Sequence, residues 1–288
     1  MQSSQTTISA ADAHYQAGTK YFSQKDFRAA MAEFRSLLAI APDHVGGTFQ
    51  IGRVFLETFW TKEAVEWFRH AAQLKPDTPQ IWQGWAEAVA LGGDREDRRT
   101  FLSELKRSEI DKNLRKQLED RFGSHRKASR PQLGGVAPRQ ISQLARSLRS
   151  GDYKKAEAEA AKVLRAAPRS AAAAFILGDA QARQNKDTEA QASFRRAIKL
   201  DPRYAEAYGA LGQLLYNQRA LTGAMETLRP AVILAPDMVP AVVGLGKALA
   251  DLGHNHAAAR LFERATRLDP KNSSIFVELG NTHMRLNS

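Results

Sequence analysis

The chain has 288 residues, no cysteine and a formal net charge of +11 at pH 7. Without thiols, disulfide scaffolds, thiolate nucleophiles and cysteine-ligated metals are excluded, whereas the positive charge admits acidic partners, anionic surfaces or nucleic acid. No apolar run approaches the roughly 20 residues that span a bilayer, and residues 1–13 are polar, so the expectation is a cytoplasmic chain with no transmembrane segment.

Six prolines fall in two runs with a strict spacing of 34 residues: Pro42 and Pro76, then Pro168, Pro202, Pro236 and Pro270. Twelve residues ahead of each stands an alanine, Ala30, Ala64, Ala156, Ala190, Ala224 and Ala258. Glycine recurs at Gly18, Gly52, Gly178, Gly212, Gly246 and Gly280, and a large apolar residue at Phe34, Phe68, Phe194, Leu228 and Phe262. Such a period marks stacked helical hairpins. The pattern resembles the tetratricopeptide repeat (TPR), which implies an all-α solenoid of antiparallel helical hairpins. Each slot has a physical reason. Glycine at repeat position 8 and alanine at position 20 let the two helices approach closely. The large residue at position 24 continues the buried stripe of the second helix. Proline at position 32 ends that helix, because it lacks the N–H and disfavours helical geometry in the residue before it.

In chain order the frame predicts an N-terminal block over 11–122, made of units 11–44 and 45–78, a degenerate unit 79–112 and a capping helix over 113–122. The degenerate unit has Ile81, Trp82, Trp85 and Val89 on its first helix and Gly92-Gly93-Asp94 as its turn. Arg98 then takes the alanine slot and Ile110 the proline slot, so its second helix departs from the pattern. Leu114, Leu118 and Phe122 share one face of the next helix and suit it to close the block. Residues 123–136 read as a basic linker interrupted by Pro131 and Gly134-Gly135. A C-terminal block follows over 137–288, with units 137–170, 171–204, 205–238 and 239–272 and a partial unit 273–288. The frame stops mid-hairpin, which reads as the N-terminal TPR region of a longer bacterial protein.

No catalytic constellation emerges. Gly244-Leu245-Gly246-Lys247 lacks the further glycine and the Ser/Thr of a phosphate loop, and His254 with His256 lacks a third metal ligand. The expectation is no enzyme activity, no cofactor and no metal for this chain. The family resemblance implies instead a concave face built from the first helix of each unit. That places Tyr15, Phe22, Phe49 and Arg53 in the first block, and Ile141, Phe175, Asp179, Gln213, Tyr216, Val243, Lys247 and Asn281 in the second. Apolar residues alternating with polar ones suit a groove that anchors peptide segments of partner proteins. Positions 5 and 12, which include Phe175 and Tyr216, are expected to face that groove rather than the contact inside the hairpin.

Two relatives of this reading fail on their own residues. The carboxylate clamp of TPR co-chaperones needs Lys, Asn, Asn, Lys and Arg where this chain has Tyr15, Thr19, Gln50, Gln80 and Gly84. The base-reading pentatricopeptide repeat needs a small polar residue where it has Phe49, Ile141 and Phe175, so no specific nucleic acid is expected. The leading expectation is therefore a protein-interaction scaffold. An alternative is the N-terminal part of a sulfotransferase- or glycosyltransferase-type enzyme whose catalytic domain lies beyond Ser288. A lesser one is non-specific nucleic-acid or anionic-surface binding through Arg126, Lys127 and Arg130.

Overall fold

The computed structural model describes residues 2–122 and 131–287, and these form sixteen α-helices. They fall into two compact units, Met1–Gly123 and Ser124–Ser288. Arg126, Lys127 and Arg130, the centre of the predicted linker, lie outside the described residues.

The first unit holds α1 (Gln2–Ser23), α2 (Phe27–Ile40), α3 (Val45–Glu57), α4 (Thr61–Leu74), α5 (Pro79–Gly92), α6 (Arg95–Leu105) and α7 (Lys112–Phe122). The second holds α8 (Pro138–Arg149), α9 (Tyr153–Ala166), α10 (Ala171–Ala182), α11 (Asp187–Leu200), α12 (Ala205–Asn217), α13 (Leu221–Leu234), α14 (Val239–Asp251), α15 (Asn255–Leu268) and α16 (Ser273–Leu286). Apart from α6, every second helix of a hairpin is 14 residues long and runs from repeat position 17 to 30. The proline slot lies just past its C-cap, as the sequence requires.

The periodic residues make the hairpin contact. Ala30, Ala64, Ala156, Ala190, Ala224 and Ala258 are all fully buried, as are Phe34, Phe68, Leu228 and Phe262. A Cβ added at Gly178 would come within 2.8 Å of the Phe194 ring. Glycine there is therefore a requirement of packing rather than of backbone conformation. The hairpin turns share a second device, a left-handed residue at position 15: Lys25 (φ 61°), Phe59 (61°), Asn185 (59°), Arg219 (61°), Gly151 (81°) and Gly253 (85°). Successive repeats are also stitched together. Arg196 donates to the carbonyl of Pro168 at 2.9 Å, Arg264 to that of Pro236 at 2.7 Å, and the Trp82 indole to that of Pro76 at 2.8 Å.

The degenerate repeat breaks the turn rule. Gly93 occupies position 15 with φ −66° and ψ 140°, and Asp94 then starts α6 with a capping box shared with Asp97. The helix stops after 11 residues. Arg98, in the alanine slot, lies over the Phe122 ring at 5.6 Å, and Phe101 meets Phe122 edge-on at 5.5 Å, so α7 completes the apolar surface here.

Two segments differ from the sequence expectation. Helix α1 starts at Gln2, well ahead of the first repeat frame at residue 11. Residues 131–136, assigned to the linker, pack onto the second unit. The Gln132 carbonyl accepts from Ala171 N at 2.9 Å, capping α10, and Gln132 N donates to the Asp201 carboxylate at 3.2 Å. Gly134 (φ 58°) runs so close to the Arg169 carbonyl that a Cβ would sit 2.4 Å from its oxygen. Val136, just before the N-cap Ala137, joins the buried cluster that Ile141 also contacts, a hydrophobic staple for α8.

Helix α8 starts its unit with a distinctive face. Repeat positions 3 and 10 are buried at Ala173, Ala207, Ala241 and Ile275 and at Ala180, Leu214, Ala248 and Thr282, where each first helix packs on the repeat before it. In α8 the same positions hold Arg139 and Arg146, both exposed.

Candidate functional site

The first helices of the hairpins, α1, α3 and α5 in one unit and α8, α10, α12, α14 and α16 in the other, carry the candidate face. In the first unit the predicted residues are drawn together by their rings. Tyr15 packs against Phe34 (6.3 Å between centroids) and the His44 ring (5.4 Å), and His44 Nδ1 caps α3 by accepting from Gly47 N at 2.9 Å. Arg53 stacks over Phe22 at 4.3 Å and Phe49 at 6.0 Å while donating to Gln50 at 3.1 Å. Phe49 in turn lies against Phe68 at 5.7 Å. These four residues are half-buried, so they contribute to the joint between repeats as much as to a surface.

Phe175 corrects the sequence reading. Its ring packs on Phe194 at 5.8 Å and Tyr204 at 5.1 Å, so position 5 takes part in the contact inside the hairpin. The Phe194 ring is wide enough to reach past the glycine slot and touch it. Burial, and then the negative charge of Glu206 nearby, raises the Tyr204 phenol above its ordinary pKa. Ile141 likewise packs on the core of the second unit, and Val243 is half-buried.

Tyr216 and Lys247 bridge neighbouring first helices, whereas Asp179 and Gln213 bond to residues four further along their own chain segment. Tyr216 donates to Asp251 at 2.9 Å; Arg219 reaches the same carboxylate at 3.2 Å, and Arg285 approaches its other oxygen at 3.7 Å. Burial, and then the bond to Asp251, raises the Tyr216 phenol above its usual value. Lys247 pairs with Glu278 at 3.0 Å, and Asp179 with Arg183 at 3.4 Å. Gln213 is exposed and donates to Asn217 at 2.9 Å, and Asn281 is exposed on α16. Arg219, Asp251, Glu278 and Arg285 are the members that residue patterning missed, because each meets a partner one repeat away.

The first unit also has a cavity of about 470 Å³ whose lining includes Lys62, Glu66, Trp85, Glu96 and Asp97. It lies beside the first turn of α6, and two of its lining cations, Lys62 and Arg69, pair with Asp94 (3.5 Å) and Glu104 (3.0 Å). Its wall is largely charged, unlike that of most small-molecule sites. The backbone N–H of Asp97 holds the Asp94 carboxyl below its ordinary value. Gly244 and Gly246 lie inside helix α14 and form no phosphate loop. Among the described residues no group of three or more His, Cys, Asp or Glu is placed to hold a metal ion.

Family models for the tetratricopeptide repeat match residues 11–44, 49–78, 146–190 and 243–288, and a TPR repeat model matches 178–218, together more than half of the chain. The chain is a tetratricopeptide-repeat protein. TPR domains are generally protein-interaction modules. No curated protein matches this TPR chain significantly. Similar solved structures include MamA 41-end from Desulfovibrio magneticus RS-1 and the MamA RS-1 ArsTM double mutant. Each is 22% identical with a TM-score of 0.48, covering 54% of this chain and 88% of its own. A tetratricopeptide repeat protein from Parabacteroides merdae ATCC 43184 is 14% identical with a TM-score of 0.42, covering 96% of this chain and 99% of its own. Among the described residues of this TPR protein, no helix is long and apolar enough to cross a membrane.

Proposed function

We propose that this chain is a non-enzymatic scaffold that binds extended peptide segments of partner proteins along the first-helix face of its second unit. The observation that supports this most is the row of polar groups on α12, α14 and α16. Gln213, Asn217 and Asn281 are exposed amides that offer both donors and acceptors to a peptide backbone. The ladders Tyr216–Asp251–Arg285 and Lys247–Glu278 hold the neighbouring helices in register, so the amides stand on a rigid frame. Charges on this face are largely paired, which favours a partner read by backbone hydrogen bonds and apolar anchors over one held by net charge.

The test uses random 12-residue peptides displayed on phage and selected on the intact chain, with selected sequences remade as synthetic peptides. The triple variant Gln213→Ala, Asn217→Ala, Asn281→Ala alters only exposed positions, and it is expected to weaken those peptides at least ~10-fold, about 1.4 kcal/mol, without changing the melting temperature. Peptides that bind the variant unchanged, or whose binding disappears with salt and with Arg139→Glu, Arg146→Glu instead, would refute the groove reading.

A further inference from the structure

On α3, α10, α12 and α14 the residue just before the glycine slot is apolar: Ile51, Leu177, Leu211 and Leu245. On α5 the same place is taken by Trp85, which is fully buried and brings an N–H into the interior. Trp82, one turn earlier on that helix, donates its indole N–H to the Pro76 carbonyl at 2.8 Å. The Trp85 Nε1–H has no acceptor among the described residues. Folded proteins leave few buried donors unpaired, because such a group has given up water without compensation. The same indole lines the cavity of about 470 Å³ in the first unit, which places an unpaired donor in the wall of an open space. The rest of that wall defines what else an occupant must carry. Carboxylates outnumber cations in it, and both cations are already paired, Lys62 with Asp94 and Arg69 with Glu104. Glu66 on α4 and Glu96 on α6 line the cavity as well, both exposed, and neither has a cationic partner among the described residues.

We propose that this cavity binds a small organic cation of the arginine type, a guanidinium joined to a carbonyl oxygen. An anion would be repelled by the excess of carboxylates, and an apolar ligand would strip them of water with nothing in return. A metal ion does not suit the wall either. No group of three or more His, Asp or Glu is placed to hold one among the described residues, and an indole N–H only donates. A guanidinium gives Glu66 and Glu96 charge-assisted hydrogen bonds, and a carbonyl gives the Trp85 N–H its acceptor. Because Glu66 and Glu96 are exposed and Trp85 is buried, the cation sits toward the mouth and the oxygen toward the inner wall. Free arginine and an arginine residue within a peptide share this chemistry. The site lies in the first unit and the polar row proposed as a peptide groove lies in the second, so the two proposals stand or fall separately.

Isothermal titration calorimetry of the full chain uses L-arginine, N-acetyl-arginine methylamide as the peptide-like probe, and L-glutamate as the control of opposite charge. At least one arginine probe is expected to saturate with a Kd below ~5 mM. Tighter binding of the free amino acid assigns a metabolite to the site, and tighter binding of the blocked form assigns a peptide. The double variant Glu66→Gln, Glu96→Gln alters only exposed side chains. It is expected to weaken the better probe at least ~10-fold, without moving the melting temperature. Trp85→Phe keeps an aromatic ring and removes the N–H, and is expected to weaken that probe at least ~5-fold. Butylguanidine, which has the cation and lacks the carbonyl, makes the same comparison on the unaltered protein and is expected to bind at least ~5-fold less tightly than the better probe. No saturation by either arginine probe at about 5 mM, or equal binding to the Glu66→Gln, Glu96→Gln protein, overturns the proposal. L-glutamate or butylguanidine binding as tightly as the better arginine probe also overturns it.

Discussion

Replacing Gly246 and Gly280 by alanine, one at a time, makes the same change at the same repeat position, yet stability is expected to move in opposite directions. Within a helix, alanine is favoured over glycine by about 0.5–1 kcal/mol. At Gly280 that is the whole effect, since the new methyl meets nothing within 4 Å, and Gly280→Ala should stabilise by about 0.5–1 kcal/mol. At Gly246 the methyl would stand 2.8, 3.0 and 3.2 Å from Cε1, Cζ and Cδ1 of Phe262, a ring with no exposed surface. Restoring a carbon–carbon contact of about 3.5–4.0 Å requires the ring or the whole of α15 to retreat by nearly 1 Å. Overpacking of this kind costs about 1–3 kcal/mol, which outweighs the propensity gain and leaves a net loss of about 1–2 kcal/mol. Urea unfolding of both variants against the parent, with hydrogen exchange read at α14 and α15, separates the outcomes, because exchange locates the change even if the array melts in stages. If Gly246→Ala stabilises as much as Gly280→Ala, glycine does not set the helix separation and the packing argument is wrong.

Enlarging the facing slot should act likewise: Ala190→Leu or Ala258→Leu, both at fully buried alanines, is expected to destabilise the second unit by about 1–3 kcal/mol, and melts that overlay the parent would count against it. Gly253→Ala is expected to cost about 1 kcal/mol in urea unfolding, although its Cβ would meet nothing within 4 Å, because φ is +85°; a neutral result would show that the turn adjusts. Acid titration gives a third check, through Glu157, whose carboxyl is held below its ordinary value chiefly by the Lys186 hydrogen bond at 2.7 Å. A depressed folded-state value means that its contribution is present above the unfolded value, about 4.3, and is lost as pH falls through the folded one. Glu157→Gln should therefore lower the melting temperature at pH 7 and converge with the parent near pH 3, and a constant gap across that range would refute the assignment.

The hairpins were legible because each repeat position is fixed by one local contact. Glycine, alanine and a large apolar residue recur wherever two helices touch, and Phe194, Leu228 and Phe262 occupy equivalent environments. What the sequence did not show depends on geometry that is not periodic. The extended backbone of Gly93 changes a turn without changing its composition, since glycine allows both forms. The docking of residues 131–136 rests on backbone groups of Gln132, which carry no residue signature. On the candidate face, repeat position did not predict burial. Phe175 is large enough to serve the hairpin contact and the surface together, and the Asp251 ladder joins residues whose relation appears only once the repeats are stacked.

The face of α8 gives the second unit a direction. A repeat duplicated between α10 and α15 would find alanine or leucine at the buried positions of its new neighbours, as at Ala207 and Leu214, and would insert with its apolar surfaces matched. The same repeat placed against α8 would have to desolvate Arg139 and Arg146, which are exposed, at a cost of several kcal/mol for each unpaired ion. Lineages of such a unit can therefore lengthen from within while their first helix stays first, and comparative sequences should show the arginine-bearing helix as a fixed origin from which repeat number varies.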